Sequence, residues 1–385
     1  MKRAATAALF VILALFLAPA DVSAKNPAGK KSRVKYVIFM LTDGMGLPDV
    51  TAARIKKNGI NGAPLHFETL EHVGYQRTYS ANNTVTDSAA GASAMACGEK
   101  FVNGEICFHA DGRATKPSLL EIAKSKGMST GLVATSTITH ASPASFGSHV
   151  QARACENEIA RQYIFITQPD VILGGGLSKF TATAPDKCGA FGDYVAAAKE
   201  RGYVLAHNRS ELQSVLAGSQ RKVLGLFNAS ALTPEYLRKP EVSEPRLPEM
   251  ASAALRLLEK DQDGFFLFIE GSQIDWGNHD NNLDYQTGEL LAFDEAVRVV
   301  LDWVNARPER KEQTLIVVAP DHETGGFAIR GDEAKPGLGP FSPAWVTKGH
   351  TGTDVVIWSQ GPHSERLGRA IDNTFVYTVI ENALR

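Results

Sequence analysis

The sequence predicts an α/β protein whose doubly wound, largely parallel central sheet is covered by helices on both faces. Three observations point there. Short apolar, β-rich runs recur at 34–41, 130–135, 171–173, 222–227, 265–269, 314–319 and 355–359. Longer amphipathic stretches lie among them at 117–126, 191–201, 248–258, 289–304 and 374–384. Strands apolar along their whole length are buried on both faces, and intervening helices are what parallel crossovers need. The third observation is that acidic residues and histidines follow several of these strands directly, and open α/β sheets gather ligands at the carboxyl ends of their strands.

Before the first strand, Lys2 and Arg3 precede an apolar run at 4–17 that ends in Val22-Ser23-Ala24. That is the layout of a secretory signal peptide, and the run is too short to cross a bilayer of ~30 Å as a helix. The expected organisation is a signal peptide at 1–24, a basic flexible leader at 25–33 and one domain at 34–385. No repeat or linker divides the rest, and 233–248 and 331–343 read as surface excursions. Export implies a periplasmic or secreted protein with no membrane attachment after cleavage. The formal net charge of −2, one unit more negative without the signal peptide, argues against nucleic acid or an anionic membrane as partner. Four cysteines in an oxidising compartment allow up to two disulfides, with three full connectivities open. They form no Cys-x-x-Cys pair, so any metal should be held by oxygen and imidazole ligands.

The first strand ends in Thr42-Asp43-Gly44-Met45-Gly46, the run at 265–269 ends in Glu270, and that at 314–319 ends in Pro320-Asp321-His322. One aspartate after a strand is ordinarily a helix cap or turn residue. Several carboxylates on one sheet edge repel each other unless cations lie between them. Asp275 and His279, four residues apart, share a face if their segment is helical and could chelate one ion, although such a pair is also a common surface salt bridge. His350, just before the last strand, is a further candidate ligand.

In Thr86-Asp87-Ser88-Ala89-Ala90-Gly91, either Asp87 or Ser88 could simply cap a helix. The small residues after Ser88 would also let that helix pack tightly and turn its N-terminal N–H groups toward an anion. A serine there needs activation to act as a nucleophile, and a neighbouring cation can supply it. After the strand at 130–135 comes Thr139-His140-Ala141-Ser142-Pro143, where Ser142 would open a helix with Pro143 in its first turn and Arg153 about three turns on. An arginine fork grips two phosphate oxygens, although a lone arginine on a helix more often faces solvent.

Together, these motifs, with Asp-His-Glu-Thr-Gly-Gly-Phe at 321–327 and Gly-His-Thr at 349–351, resemble the alkaline phosphatases in their shorter bacterial exported form. The match runs in order from about Val34 to the end. The resemblance implies hydrolysis of small-molecule phosphate monoesters through a phosphoserine on Ser88, by double in-line displacement, with broad range and an alkaline optimum. It implies two zinc ions, one held by Asp275, His279 and His350, the other by Asp43, Asp321 and His322 with Ser88. Asp43 would bridge to a magnesium site completed by Glu270 and Ser142, and Arg153 would hold the remaining phosphate oxygens. The best-known enterobacterial pattern has Asp and Lys where this chain has His140 and Trp276, and imidazole beside the third site favours zinc or cobalt over magnesium. The resemblance further implies a homodimer, a Cys155 disulfide for which Cys188 is the expected partner, and a buried free thiol at Cys97.

Two rivals stand beside this reading. A sulfatase needs Cys or Ser in a C/S-x-P-x-R context, which Ser88-Ala89-Ala90-Gly91-Ala92 is not, and phosphodiesterase relatives present Thr as nucleophile. A phosphate- or metal-binding protein without catalysis would have no use for an activated serine.

Overall fold

A computed structural model describes Met1, 34–331 and 341–385. Most of the expected signal peptide, the leader and most of the excursion at 331–343 lie outside the described residues. The main sheet has ten strands, numbered here in chain order: β1 (Tyr36–Thr42), β2 (His72–Arg77), β3 (Ser129–Thr137), β4 (Val171–Gly175), β5 (Val204–Ala206), β6 (Val223–Leu226), β7 (Phe265–Gly271), β8 (Thr314–Ala319), β9 (Val355–Gln360) and β10 (Ala370–Asp372). Their spatial order is β10-β2-β9-β8-β1-β7-β3-β4-β6-β5. All neighbours pair in parallel except β9, which is antiparallel to both β8 and β2.

All seven expected strands form, and β9 is the one whose direction a parallel sheet did not anticipate. The chain leaves β8 and stays on that strand's carboxyl edge, where Glu323–Thr324 pairs with His350–Thr351. It therefore enters β9 from the same edge, and the strand must run back antiparallel. The other strands alternate with helices on both sheet faces. Val37, Phe39 and Leu41 of β1 face one core, shared with α2 (Ser88–Cys97), α3 (Leu119–Ser125) and α4 (Ala141–Gly147). Ile38 and Met40 face the other, against α1 (Leu47–Asn58). That second core also takes in α5 (Leu247–Leu258) and, beyond α6 (Gln273–His279), α7 (Leu283–Asn305). Between α4 and the sheet, Phe146 packs 4.5 Å from Phe268 and 5.2 Å from Phe39, ring centre to ring centre. No helix among the described residues is long and apolar enough to cross a membrane.

Two expectations at 97–153 need correction. Cys97 is buried, but it is bonded to Cys107 with a Cα–Cα distance of 6.1 Å. The intervening loop doubles back over the end of α2, where Cys107 N donates to Ser93 Oγ at 3.0 Å. Cys155 is bonded to Cys188, as the resemblance implied. The helix expected to open at Ser142 starts at Ala141, with His140 as N-cap, and ends at Gly147. Arg153 is therefore on a loop, because Val150 leaves the helix to pair with Ile106.

Glu289 on α7 is buried, and its Oε1 accepts from Glu235 N at 2.7 Å. Burial, with Glu235 adding to it against Arg238 and Arg246, pushes this carboxyl up to about 8 from its ordinary 4.5. The folded state thus holds this proton more tightly than the unfolded chain. The stability it contributes is complete below pH ~4.5 and is lost as pH rises through ~8. Glu289→Gln is expected to raise the thermal midpoint near pH 9 by several degrees and to leave it unchanged near pH 5; equal midpoints at both pH values would show that the carboxyl does not titrate this way.

Candidate active site

The four central strands β8, β1, β7 and β3 end side by side, and their carboxyl ends supply the site. Asp43 follows β1, Glu270 is the next-to-last residue of β7, Asp321 and His322 follow β8, and His140 and Ser142 follow β3. The close approach of these ends depends on Gly44. Its φ of +73° lies in the left-handed region, and a Cβ there would come 2.7 Å from Asp275 Cα. Only glycine accommodates both conditions.

Ser88 is the first residue of α2, whose N-cap Asp87 accepts from Ala90 N at 3.0 Å. Its Oγ lies 3.2 Å from His322 Nε2 and 3.5 Å from Asp43 Oδ1. His322 Nε2 is also 3.4 Å from Asp43 Oδ1 and 3.3 Å from Asp321 Oδ2. On the other side, Asp275 and His279 do share one face of α6, with Oδ2 and Nε2 3.2 Å apart. His350 Nε2 is 3.2 Å from His279 Nε2 and 3.6 Å from Asp275 Oδ1. The rings of His322 and His350 stack at 3.6 Å. The ligand atoms of Asp43, Asp321 and His322 converge to within 4.8 Å of one another, as do those of Asp275, His322 and His350. His322 thus stands between the two groups.

The hydrogen bonds fix how these imidazoles are presented. His279 Nδ1 donates to Lys348 O, and His350 Nδ1 donates to Thr86 O at 2.9 Å. Thr324 Oγ1 donates to Asp275 Oδ1 at 2.5 Å and so accepts from His322 Nδ1 at 3.2 Å. With every Nδ1 committed as a donor, Nε2 is the atom each ring turns toward the carboxylates, the arrangement of metal-ligating histidines. Four oxygens of the predicted set, Asp43 Oδ2, Asp321 Oδ2, Glu270 Oε1 and Ser142 Oγ, are buried without a hydrogen-bond partner. Buried carboxylates left so are costly unless a cation meets them.

The electrostatics agree. Burial, then repulsion from Asp321, Asp275 and Glu270, pushes the Asp43 carboxyl well above the ordinary range. Burial does the same to Asp321 and lifts Glu270 to about 7, even though Ser272 donates to Glu270 at 2.7 Å. Burial also acts to raise Asp275, but the His279 hydrogen bond and the three nearby imidazoles outweigh it and hold that group low. Its partner His279 is raised to about 9 by the same hydrogen bond.

Arg153 reaches the site from its loop. One guanidinium nitrogen donates to Asp87 Oδ2 at 3.0 Å and another to His140 Nε2 at 3.3 Å. Its backbone N donates to Gly104 O at 2.8 Å, while Gly104 N donates to Asp87 Oδ1 at 3.1 Å. One loop therefore holds both the cap of α2 and the arginine. His140 differs from the other predicted ligands, since its Nε2 lone pair goes to Arg153 and burial depresses it to about 4. Its ring stands edge-on to Trp276 at 5.8 Å. Sequence reasoning missed the bridging role of Thr324, although its place three residues after Asp321 was a usable signal.

The alkaline phosphatase family model matches residues 34–344. The chain belongs to the alkaline phosphatase family. Alkaline phosphatase 3 of Bacillus subtilis is 31% identical, covering 98% of this chain and 94% of its own. The Escherichia coli alkaline phosphatase is 30% identical over 91% of this chain and 86% of its own. Among solved structures, that of the Antarctic bacterium TAB5 superposes with a TM-score of 0.80 at 31% identity, over 91% of this chain and 98% of that one. Two variants of that neighbour, with a histidine exchanged for aspartate or glutamate, have Mg bound in the M3 site. The protein is thus a phosphatase of the alkaline phosphatase family.

Proposed function

We propose that this alkaline phosphatase hydrolyses phosphate monoesters through a phosphoserine on Ser88, with two zinc ions and a third ion beside it. The observation that carries the reading is the set of three imidazole Nε2 atoms gathered against Asp43, Asp275 and Asp321 next to the Ser88 hydroxyl. Asp275, His279 and His350 would hold one zinc, and Asp43, Asp321 and His322 the other. The oxygens of Asp43, Glu270 and Ser142 would hold the third ion, magnesium or, beside His140, zinc or cobalt. Bound there, the ions would lower the pKa of the Ser88 hydroxyl and offset charge on the departing oxygen.

Ser88 Oγ attacks phosphorus in line with the ester oxygen, the P–O ester bond breaks, and phosphate is left on the serine. Asp87 holds the α2 N-terminus in place for that attack, and Arg153 grips two phosphoryl oxygens through its fork. Water then attacks in line from the vacated side, releasing inorganic phosphate and restoring Ser88. Recognition confined to the phosphoryl group leaves the alcohol loosely constrained, which supports a broad substrate range. The two disulfides support an exported, periplasmic or secreted protein, and the family resemblance supports a homodimer.

The test is steady-state hydrolysis of a chromogenic phosphate monoester at alkaline pH beside the matching sulfate ester and phosphodiester. Turnover of the monoester far above the other two is expected; preferential turnover of either rival would replace the reading. Trp276, next to His140, bears on product release. Trp276→Lys adds a cation near the phosphate site and is expected to tighten inhibition by phosphate several-fold, on the order of 1 kcal/mol. An unchanged inhibition constant would show that position 276 does not face the product.

A further inference from the structure

Asn278 is a fully buried polar residue for which the proposed chemistry has no use, although it lies between Asp275 and His279 on α6. Its Nδ2 donates to Asp49 Oδ2 at 3.2 Å, and its Oδ1 accepts from Trp345 Nε1 at 3.0 Å. Asp49, at the start of α1, also accepts from Gly46 N at 2.7 Å and from Gln286 Nε2 of α7. Trp345 begins the loop that leads to His350. That loop is tied down by Val346 N and Thr347 N donating to Gly325 O at 3.0 and 3.1 Å, and by Gly325 N donating to Gly349 O at 2.9 Å. At Gly325, φ is +88° and a Cβ would stand 2.6 Å from Trp345 Cδ1, so the indole is seated directly on this backbone.

One amide thus joins three segments: the β1–α1 turn behind Asp43, the helix carrying Asp275 and His279, and the loop carrying His350. Helix α6 has only seven residues, and a helix that short owes its position to tertiary contacts. The Asp275, His279 and His350 ligand atoms come from two of these segments, and a metal site works only when its ligands are held to within ~0.5 Å.

We propose that Asn278 is a positioning residue for the metal group of Asp275, His279 and His350, setting the short helix and the Trp345–His350 loop in register through its two amide contacts. This rests on the proposed ligand set. Supporting contacts of this kind change metal affinity by about 10–100-fold when removed.

The experiment is zinc binding by competition with a chromogenic chelator, on the purified full chain, for the unaltered protein, Asn278→Ala, Trp345→Phe and Asp275→Asn, with thermal midpoints of the metal-free forms. Trp345→Phe keeps a ring on Gly325 and removes only the donor, so it decides alone if Asn278→Ala does not fold. The expected result is one zinc weakened about 10–100-fold in Asn278→Ala, a smaller weakening of the same zinc in Trp345→Phe, and the other zinc unchanged. Unaltered affinity for both zinc ions in the folded variants, with only a lower metal-free midpoint, would reduce Asn278 to ordinary packing and overturn the inference. If Asp275→Asn also kept both zinc ions at full affinity, the ligand set itself would fall, and that failure is distinct from the first.

Discussion

Ser88→Ala is expected to lower kcat for a phosphate monoester by about 10⁶-fold, the order seen when a nucleophilic serine is removed from a site that otherwise stays intact. The expectation follows from how little else would change. Ser88 is the first residue of α2, the cap is made by Asp87, and the residues after it are alanines that pack whether or not the hydroxyl is present. Alanine also suits the helix. The metal groups do not need the hydroxyl to form, so zinc content and thermal midpoint should match the unaltered protein. Arg153 should still bind phosphate, leaving competitive inhibition within a few-fold. Residual turnover would come from positioning and charge stabilisation alone. Loss of activity together with loss of zinc would instead make Ser88 a structural residue, and retained activity would move the nucleophile elsewhere.

Removing metal is expected to have the second largest effect, and on two properties at once. Activity should fall by about 10³-fold or more after exhaustive chelation, given that metal-activated chemistry supplies several kcal/mol. The thermal midpoint should fall with it, because Asp43, Asp321 and Glu270 are buried together with unpartnered oxygens. Without cations, burial and then mutual repulsion raise Asp43 and Asp321 far above their ordinary range, and burial raises Glu270 to about 7. A metal present at about 1,000 times its Kd adds about 4 kcal/mol to the folded state. Zinc should restore both properties and magnesium alone should not, since His279, His322 and His350 offer imidazole nitrogens that magnesium disfavours. Full activity in a protein shown to be metal-free would contradict the assignment of these groups.

Much of this site could be read from the sequence because its carboxylates sit at the ends of continuously apolar strands. Asp43, Glu270 and Asp321 each follow such a run, so topology alone brings them to one edge. The Asp275–His279 spacing was readable for a similar local reason, one face of one helix. What escaped depended on long-range pairing. Strand β2 inverts the usual pattern, with Val73 and Tyr75 exposed and Gly74 and Gln76 buried, because Gly74 lies against the backbone of Leu367 and Arg369 and Gln76 donates to Pro320 O. Arg153 was placed on a helix that stops at Gly147, and its true position is fixed by the Ile106–Val150 bridge, a contact across more than forty positions that no local periodicity encodes. The Cys97–Cys107 bond was missed because it depends on a loop doubling back. Thr324 and Asn278 lay inside recognised motifs, but their roles are contacts between segments and have no signature within either.

The central claim is that Ser88 carries the phosphoryl group. Acid quenching the zinc-loaded protein during turnover of a phosphate monoester, followed by peptide mapping, tests it most directly. Phosphate on the peptide containing Ser88, absent from Ser88→Ala and from the chelated protein, is the predicted result. Phosphate on a different residue, or rapid hydrolysis with no phosphorylated peptide at a time resolution that captures single turnovers, would contradict it.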